Sequence, residues 1–228
     1  EGSNVETLKR SNASRITQYA IRNTDEAIIQ TQNLLINGQI LAIKGLGGFH
    51  LACDTANATA VSELRKRKLR RDKPFALMMP NLATVEKYCY VNDAERAELE
   101  SIARPIVLLK RKPNSTIAED VAPGQNHIGV MLPYTPLHYL LFDENAKYDA
   151  LVMTSGNLSE EPIAFTNEDA RERLSSLADA FLMHNRDIHV RCDDSVVRVV
   201  SDLYSVNSSQ LAEKTEHRIL NTYPLRRS

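Results

Sequence analysis

The sequence lacks several features that mark specialised classes of protein. Its 228 residues include no tryptophan and only three cysteines, which are scattered and form no Cys-x-x-Cys pair. A disulfide framework or a structural zinc site is therefore not expected, and buried thiols in a reducing, cytoplasmic compartment are. The formal net charge is −1, so no overall basic field is present to attract nucleic acid.

Long apolar runs are also missing. No stretch approaches the ~20 residues of a membrane helix, and the N-terminus carries no apolar targeting segment. We therefore expect no membrane partner. The hydrophobic fraction of 43% and the charged fraction of 25% are those of an ordinary globular protein.

Apolar periodicity predicts alternating helices and strands. A first helix begins at Thr24 and ends at Asn37-Gly38, and Thr55 or Asn57 caps the next one. Further helices are expected over 82–87, 93–101, 137–141 and 167–177, and buried strands over 40–43, 75–79, 106–109, 129–132, 150–153 and 196–200. Some strands follow one another closely, which favours a mixed sheet over a purely parallel one.

The two ends of the chain differ from this pattern. Residues 1–22 are polar and lack a clear period, so we interpret them as an N-terminal arm or linker. Residues 23–228 are interpreted as one domain, excised from a larger multidomain protein. A polar segment over 201–222 reads as a variable loop.

The first of three chemistry-bearing segments is Lys44-Gly-Leu-Gly-Gly-Phe-His50, which directly follows a predicted strand. Glycines allow backbone N–H groups to approach phosphate oxygens, and Lys44 adds a point charge. The segment is neither a Walker motif nor a dinucleotide fingerprint, and a plain strand-to-helix turn explains it equally well.

The second segment is the basic run Arg65 to Lys73. Such runs are usually solvated helix ends, but this one leads straight into a strand. Helical spacing puts Lys66 and Arg70 on one face, and Lys68 and Arg71 on another. A subset of these side chains is therefore a candidate to line a polyphosphate site.

The third segment is Thr154-Ser-Gly-Asn-Leu-Ser159, after the strand at 150–153. It is typical of a turn followed by a helix cap, and equally of Ser155 and Asn157 donating to a phosphate or carboxyl group. We expect Lys68 and Ser155 to face a solvated cavity, where substitutions change stability by well under ~1 kcal/mol.

Together these segments resemble one family. Residues 44–54 (KGLGGFHLACD) look like the opening of the YrdC-like domain in HypF-type hydrogenase-maturation carbamoyltransferases. The same domain is resembled by DKPFA at 72–76, GVMLPYTP at 129–136, TSGNLSEEP at 154–162 and HNRDIHVRCDDSVVR at 184–198. The likeness covers residues 24–200 and resumes at 225–228.

The resemblance implies an α/β fold: a YrdC-like twisted open mixed sheet with flanking helices and a concave basic nucleotide site. It implies ATP and Mg²⁺ as cofactors, carbamoyl phosphate or carbamate as the second substrate, and carbamoyl-adenylate as the product. The carbamoyl group would then pass to a HypE-type acceptor, through a transferase module not contained here, to supply the cyanide ligands of nickel–iron hydrogenase.

The resemblance also implies roles for individual residues. The family's K-x-R and S-x-N patterns match the four implied catalytic residues, Lys68, Arg70, Ser155 and Asn157. Nucleotide contacts are implied for Lys44, Lys73, Thr154, Ser195, Arg226 and Arg227, and a place in the substrate pocket for His50, His184, Arg186 and Arg191. No resident metal is expected without ATP. Asp193 and Asp194 are candidates for holding Mg²⁺, although turn capping suits them at least as well.

Three rival functions stay open on the sequence. Threonylcarbamoyl-adenylate synthesis for tRNA modification uses the same fold, but the Gly-Gly-Phe-His and Cys-Asp-Asp-Ser signatures favour the HypF side. A double-stranded RNA-binding module without catalysis is supported only by the run at 65–71. A small-molecule O-carbamoyltransferase shares this domain and differs in a module outside the chain.

Overall fold

The structure is a computed structural model that describes residues 5–11, 15–21, 24–158, 161–201 and 220–224. The strands are β1 (Val5–Ser11), β2 (Arg15–Ile21), β3 (Leu41–Lys44), β4 (Phe49–Asp54), β5 (Ala76–Met78), β6 (Cys89–Tyr90), β7 (Ile106–Arg111), β8 (His127–Met131), β9 (Leu151–Ser155), β10 (Ala180–Met183), β11 (Val196–Ser201) and β12 (Leu220–Pro224). The helices are α1 (Thr24–Ile36), α2 (Ala58–Arg67), α3 (Leu82–Tyr88), α4 (Asp93–Glu100), α5 (Pro136–Leu141) and α6 (Asn167–Leu174), with a 3-10 turn at Glu119–Val121.

All the described strands belong to one open sheet. Its order is β12-β11-β7-β8-β5-β9-β4-β3-β10-β1-β2, with β6 paired to β7 off this path. The pairs β3–β10, β5–β8 and β7–β11 are parallel, whereas the other pairs are antiparallel. The predicted open mixed sheet with flanking helices is confirmed.

The alternation of side chains along the strands produces two cores, one on each face of the sheet. In β4, Leu51 and Cys53 join a cluster that also contains residues of α2, α3, α4 and α6. The intervening Ala52 faces the other cluster, which contains residues of α1 and α5. Both faces are therefore covered by helices, as the near-continuous apolar strands predict.

The helices begin where the sequence supplies a capping side chain. Of the two candidates for α2, Asn57 is the cap, and its Oδ1 accepts from the amide of Ala60 at 3.0 Å. The hydroxyl of Thr55 instead donates to the carbonyl of Ala150 at 3.1 Å. Helix α4 has a full capping box between Asn92 and Glu95, which satisfies the free amides of its first turn.

The glycine segment is a hairpin turn rather than the turn into a helix that the sequence also allowed. Strands β3 and β4 are antiparallel, with Lys44 opposite Phe49, and the amide of Gly45 donates to the carbonyl of Gly48 at 2.8 Å. A Cβ at Gly47 would lie 2.6 Å from the carbonyl oxygen of Cys192, so the turn packs too closely against backbone for a side chain. The apolar alternation from Phe49 to Cys53 is a strand signal that the glycines obscured.

The ends of the chain also add to the sheet. The segment interpreted as an arm or linker contains β1 and β2, which pair antiparallel, and β1 pairs with β10. Strand β12 pairs with β11. The C-terminal end of the polar segment over 201–222 therefore belongs to a strand. Residues 202–219 lie outside the described residues. The division into an arm and one domain stays a prediction.

Candidate functional site

Lys68 connects the end of α2 to the end of β9. It is the C-cap of α2, and the next residue, Leu69, turns the chain with a φ of 53°. Its Nζ donates to the carbonyls of Ser155 and Asn157, both at 2.6 Å, and to Asn157 Oδ1 at 3.1 Å. Only 1% of the side chain is exposed. Lys68 is thus a buried cation with three oxygen acceptors.

The turn after β9 is held by its own side chains. Ser155 Oγ donates to Asn157 Oδ1 at 2.8 Å, and Asn157 Nδ2 donates to the carbonyl of Glu161 at 2.5 Å. The amide of Gly156 donates to the carbonyl of Phe49 at 2.6 Å, which fixes the turn against β4. Among the described residues after β9, the next helix is α6, which is capped by Thr166. The structure therefore brings Lys68, Ser155 and Asn157 together.

The expectation that Lys68 and Ser155 face a solvated cavity is wrong. Both side chains are buried, because carbonyls of the turn surround the ammonium and the close approach of Gly156 to β4 excludes water. Their roles as catalytic residues stay predictions. A lysine satisfied in this way has a strong structural role whatever else it does.

Arg70 and Arg65 shape the loop between α2 and β5. Arg70 donates to the carbonyls of Lys73 and Pro74 at 2.9 and 2.6 Å, and to Thr154 Oγ1 at 3.1 Å. Arg65 donates to the carbonyls of Arg70, Arg71, Lys73, Asp120 and Val121. Both guanidinium groups lie over the ring of Phe75, at 5.0 and 4.7 Å from its centroid.

The role of Arg65 in holding this loop was not predicted from the sequence. The helical faces predicted for the basic run are wrong. Helix α2 ends at Arg67, so Arg70 and Arg71 lie beyond it and share no helical face with Lys66 or Lys68. Arg67 pairs with Glu63 and Asp179, both within 2.9 Å. The run is therefore mostly scaffolding. Helical spacing was the available signal, because Arg65 and Lys68 continue the face of α2 that Val61 and Leu64 bury.

A cavity of about 660 Å³ lies beside the glycine turn. It is lined in part by the residues 186–195 that precede β11 and by Ile102 to Arg104. Five predicted site residues line it: His50, Arg186, Asp193, Asp194 and Ser195. Its volume lies in the range typical of small-molecule and cofactor pockets. None of the four implied catalytic residues is among its lining residues.

One wall of this cavity is a hydrogen-bonded network. His50 Nε2 lies 3.0 Å from Asp194 Oδ2, and the hydroxyl of Tyr134 donates to Asp194 Oδ1 at 3.2 Å. Behind it, His138 packs edge-on against Tyr134 with ring centroids 4.5 Å apart. Burial lowers the pKa of His138 to about 3, so this imidazole is neutral. The network ties the loop that contains Asp194 to β4, through His50, and to the segment before α5, through Tyr134.

A second chamber of about 280 Å³ adjoins the first, with which it shares Leu46, Arg186 and Asp187. Lys44, His184 and Arg186 line it, and Lys44 Nζ donates to the carbonyl of His184 at 3.2 Å. Burial is the main cause that lowers the pKa of Lys44, while Asp187 and Glu168 oppose it. The pKa of His184 is lowered by burial and by the charges of Lys44 and Arg186.

The remaining predicted residues are more scattered. Arg191 lies over the ring of Phe165, 4.7 Å from its centroid, and Lys73 is exposed. Thr154 is buried and accepts from Arg70. Arg226 and Arg227 lie outside the described residues.

The two aspartates proposed for Mg²⁺ differ. Asp194 is engaged by His50 and Tyr134, whereas Asp193 is exposed and lines the larger cavity. Among the described residues, no group of three His, Cys, Asp or Glu side chains is arranged to hold a metal ion. Mg²⁺ is commonly bound by one or two carboxylates together with phosphates of the substrate. Asp193, exposed at the larger cavity, is a carboxylate of this kind.

Comparison with known proteins places this fold and these motifs in a family. The sequence model of the Sua5/YciO/YrdC family, described as Telomere recombination, matches residues 33–207. The chain belongs to this family. The predicted resemblance to the YrdC-like domain of HypF proteins is also confirmed by the named relatives below.

The relatives with substantial identity are carbamoyltransferases. The chain is 50% identical over 186 residues to HypF2 of Cupriavidus necator, a match that covers 76% of this chain and 23% of the relative. It is 56% identical over 162 residues to HypF of Rhodobacter capsulatus, covering 71% and 21%. The chain thus spans about a quarter of the length of the curated relatives it matches.

A solved structure gives the same result for the fold. A crystal structure of full-length HypF in a phosphate- and nucleotide-bound form matches with a TM-score of 0.76 and 44% identity, covering 86% of this chain and 24% of that one. The predicted YrdC-like fold is confirmed. In the part of the chain that the structure describes, none of the helices is long and apolar enough to cross a membrane.

Proposed function

We propose that this chain is the ATP-binding, adenylate-forming domain of a HypF-type carbamoyltransferase. The observation that carries the proposal is the 44% identity, over 86% of the chain, to a HypF whose structure contains phosphate and nucleotide. The 660 Å³ cavity offers a place for the nucleotide, with Arg186 and Ser195 among its lining residues. Location in the cytoplasm is part of the same proposal.

The proposed reaction joins carbamate to AMP. A carbamate oxygen attacks the α-phosphorus of ATP, the bond from this phosphorus to the bridging oxygen of the β-phosphate breaks, and pyrophosphate leaves. Negative charge grows on the phosphoryl oxygens and the leaving group, so catalysis depends on positioning and on fixed positive charge. Mg²⁺ bound with the phosphates would neutralise part of this charge, and Asp193 is the exposed carboxylate that would help hold it.

The residues of the chain divide this work between them. Arg186 lies where it would contact phosphates in the larger cavity, and Ser195 would contact the nucleotide. Lys68, Ser155 and Asn157 form a rigid corner beside β4, and Arg70 ties that corner to the loop before β5. We propose that these four residues position the phosphates by fixing this corner. Ser155 lies opposite His50 in the sheet, and His50 lines the larger cavity.

The substrate and acceptor are proposed from the resemblance to HypF proteins. Carbamate would arise from carbamoyl phosphate by loss of its phosphate, and the carbamoyl group would pass on to a HypE-type protein. We propose that both steps use parts of the whole protein beyond this chain, which spans about a quarter of its relatives' length. They are proposals for the whole protein.

ATP–pyrophosphate exchange tests the proposed chemistry. We expect exchange that is stimulated by a source of carbamate and not by threonine with bicarbonate, because a site that holds N-carboxy-threonine must also pair its hydroxyl and carboxylate. The assay uses the full-length protein, so that carbamoyl phosphate can serve as the source. Exchange that depends on threonine would replace the proposal with the tRNA-modification function.

The RNA-binding alternative has lost most of its support. Arg65 and Lys68 are buried and Arg67 is paired, so few charges of the basic run are available to a duplex. Tight, salt-sensitive binding of duplex RNA in a gel-shift assay, without any exchange activity, would revive it.

A further inference from the structure

Lys44 is a buried cation with a single hydrogen-bond acceptor among the described residues. Its side chain is 2% exposed at the end of β3. Its Nζ donates to one carbonyl, that of His184, and within the described residues it forms no ion pair. An ammonium group can donate three hydrogen bonds. Burying an ammonium whose donors lack acceptors is unfavourable, so an acceptor from outside the chain would be favoured.

The chamber beside Lys44 has the right charge for such a partner. Lys44 and Arg186 contribute two positive charges to its wall, and Asp187 contributes one negative charge. His184 adds none near neutral pH, because burial and the two cations lower its pKa. Among the charged side chains that line the chamber one positive charge is in excess, and Glu168, outside this lining, offsets part of it at Lys44. The apolar part of the wall, from Leu137 and Leu140 among others, strengthens electrostatic attraction by excluding water.

The chamber is too small for a nucleotide but adjoins the cavity that would hold one. Its volume of about 280 Å³ lies just below the range typical of pockets for drug-sized ligands. Leu46, Arg186 and Asp187 line both the chamber and the larger cavity, so the two spaces are adjacent. A ligand in the chamber would therefore lie next to a nucleotide without sharing its space.

We infer that this chamber is a second binding site, for a small anion with one carboxylate or phosphate group, and that Lys44 is its counter-ion. The inference rests on the proposed function in naming the anion as the carbamoyl donor, which reaches the nucleotide from the chamber. Lys44 accordingly belongs to the small anion and not to the phosphates of ATP. Leu137 and Leu140 limit the size of the ligand.

Anion binding can be measured on the 228-residue chain without nucleotide. NMR spectra with labelled lysine are recorded while acetate, bicarbonate, inorganic phosphate or carbamoyl phosphate is added. We expect a saturable shift of the Lys44 signal and at least tenfold weaker binding in Lys44→Met. Lys66→Met, an exposed control on α2, should bind as the unchanged chain does.

A second variant keeps the test independent of the charge. Leu140→Trp fills the chamber from its rim and should also weaken anion binding tenfold, while binding of a non-hydrolysable ATP analogue stays unchanged. Saturation by acetate and bicarbonate identifies a carboxylate site, and saturation by the two phosphates alone identifies a phosphate site. Equal anion binding in all variants, or no saturable binding to the folded chain, would overturn the inference.

The same variants separate this inference from the proposed function. Anion binding that depends on Lys44, without ATP–pyrophosphate exchange in the full-length protein, would reject the proposed reaction and keep the chamber. Exchange whose KM for the carbamate source is the same in Lys44→Met would reject the chamber and keep the reaction. We expect the KM for the carbamate source to rise at least tenfold and the KM for ATP to change little.

Discussion

Lys68 and Lys44 are two lysines that are almost equally buried, yet their surroundings differ. Among the described residues, Lys68 has at least three oxygen acceptors and Lys44 has one. Lys68 is enclosed by the turn after β9, whereas Lys44 borders a chamber of about 280 Å³. A buried charge that the chain satisfies by itself stabilises the fold. One that it leaves partly unsatisfied is prepared for a ligand.

His138 extends the comparison to a group without any acceptor. Both of its ring nitrogens are buried with no hydrogen-bond partner among the described residues. Burial, together with the neighbouring His50 and His184, lowers its pKa to about 3, although Asp194 opposes the shift. The three residues thus form a series of buried groups with at least three, one and no hydrogen-bond partners among the described residues.

The largest effect on stability is expected from Lys68→Met. The change removes the donor to three oxygens that stay buried, and losing one partner of a buried charged interaction costs about 3 kcal/mol or more. Urea denaturation should show this loss, while Lys66→Met, exposed on α2, changes the free energy of unfolding by less than ~0.5 kcal/mol. A loss no larger than that of the control would contradict the view of Lys68 as a structural clamp.

The next largest effect concerns acid. The folded chain keeps His138 neutral down to a pH of about 3, whereas the unfolded chain binds a proton below the ordinary value of 6.5. The unfolded state therefore gains protons first, and stability falls as the pH drops from 6.5 towards 3. His138→Phe should remove this component and make the folded state about 2–3 kcal/mol more stable relative to the unchanged chain near pH ~4.5.

Unfolding of the two proteins by urea at several pH values measures this difference. His127→Phe is the control, because the ring of His127 lies at the surface and bonds to Asn126. Its unfolding is measured under the same conditions. If His138→Phe loses stability in acid as steeply as the unchanged chain, His138 takes up a proton in the folded state. That outcome would contradict the view of His138 as a neutral buried group.

A smaller effect is expected from Ser155→Ala. The variant loses the hydrogen bond from Ser155 Oγ to Asn157 Oδ1, but that oxygen still accepts from Lys68. We expect a loss of about 1 kcal/mol in the free energy of unfolding, with Ser176→Ala as the exposed control. A change as small as the control's would restore the expectation of a solvated Ser155.

The smallest effect on stability at neutral pH is expected from Lys44→Met, within about 1 kcal/mol, because only one carbonyl loses its donor. Burial lowers the pKa of Lys44 below its ordinary value of 10.5. The folded chain then releases this proton first as the pH rises, so this lysine makes stability increase towards pH 10.5. Denaturation in alkaline buffers should show that Lys44→Met lacks the increase. A loss as large as that of Lys68→Met would mean that the chain satisfies both lysines alike.

Much of the fold could be predicted because its signals are local. The helix that begins at Thr24, the strands around 41–44 and 151–155, and the motifs that resemble HypF proteins are all legible within a few residues. Strands β1, β2 and β10 were not predicted. No glycine or proline marks the boundaries of β10, and β1 and β2 are too polar to show an alternation of apolar residues. Their pairing partners lie far away along the chain.

By itself, the sequence determined the mixed α/β class, the family and the residue types that meet at the candidate site. Only the tertiary structure decided which of the charged side chains are buried or paired within the fold. The acceptors of Lys68 lie 87 and 89 residues away, and that of Lys44 lies 140 residues away. Burial and partners at such separations depend on how the strands are ordered in the sheet, which no local pattern encodes. The same basic run therefore supplies a buried clamp, a paired arginine and an exposed lysine.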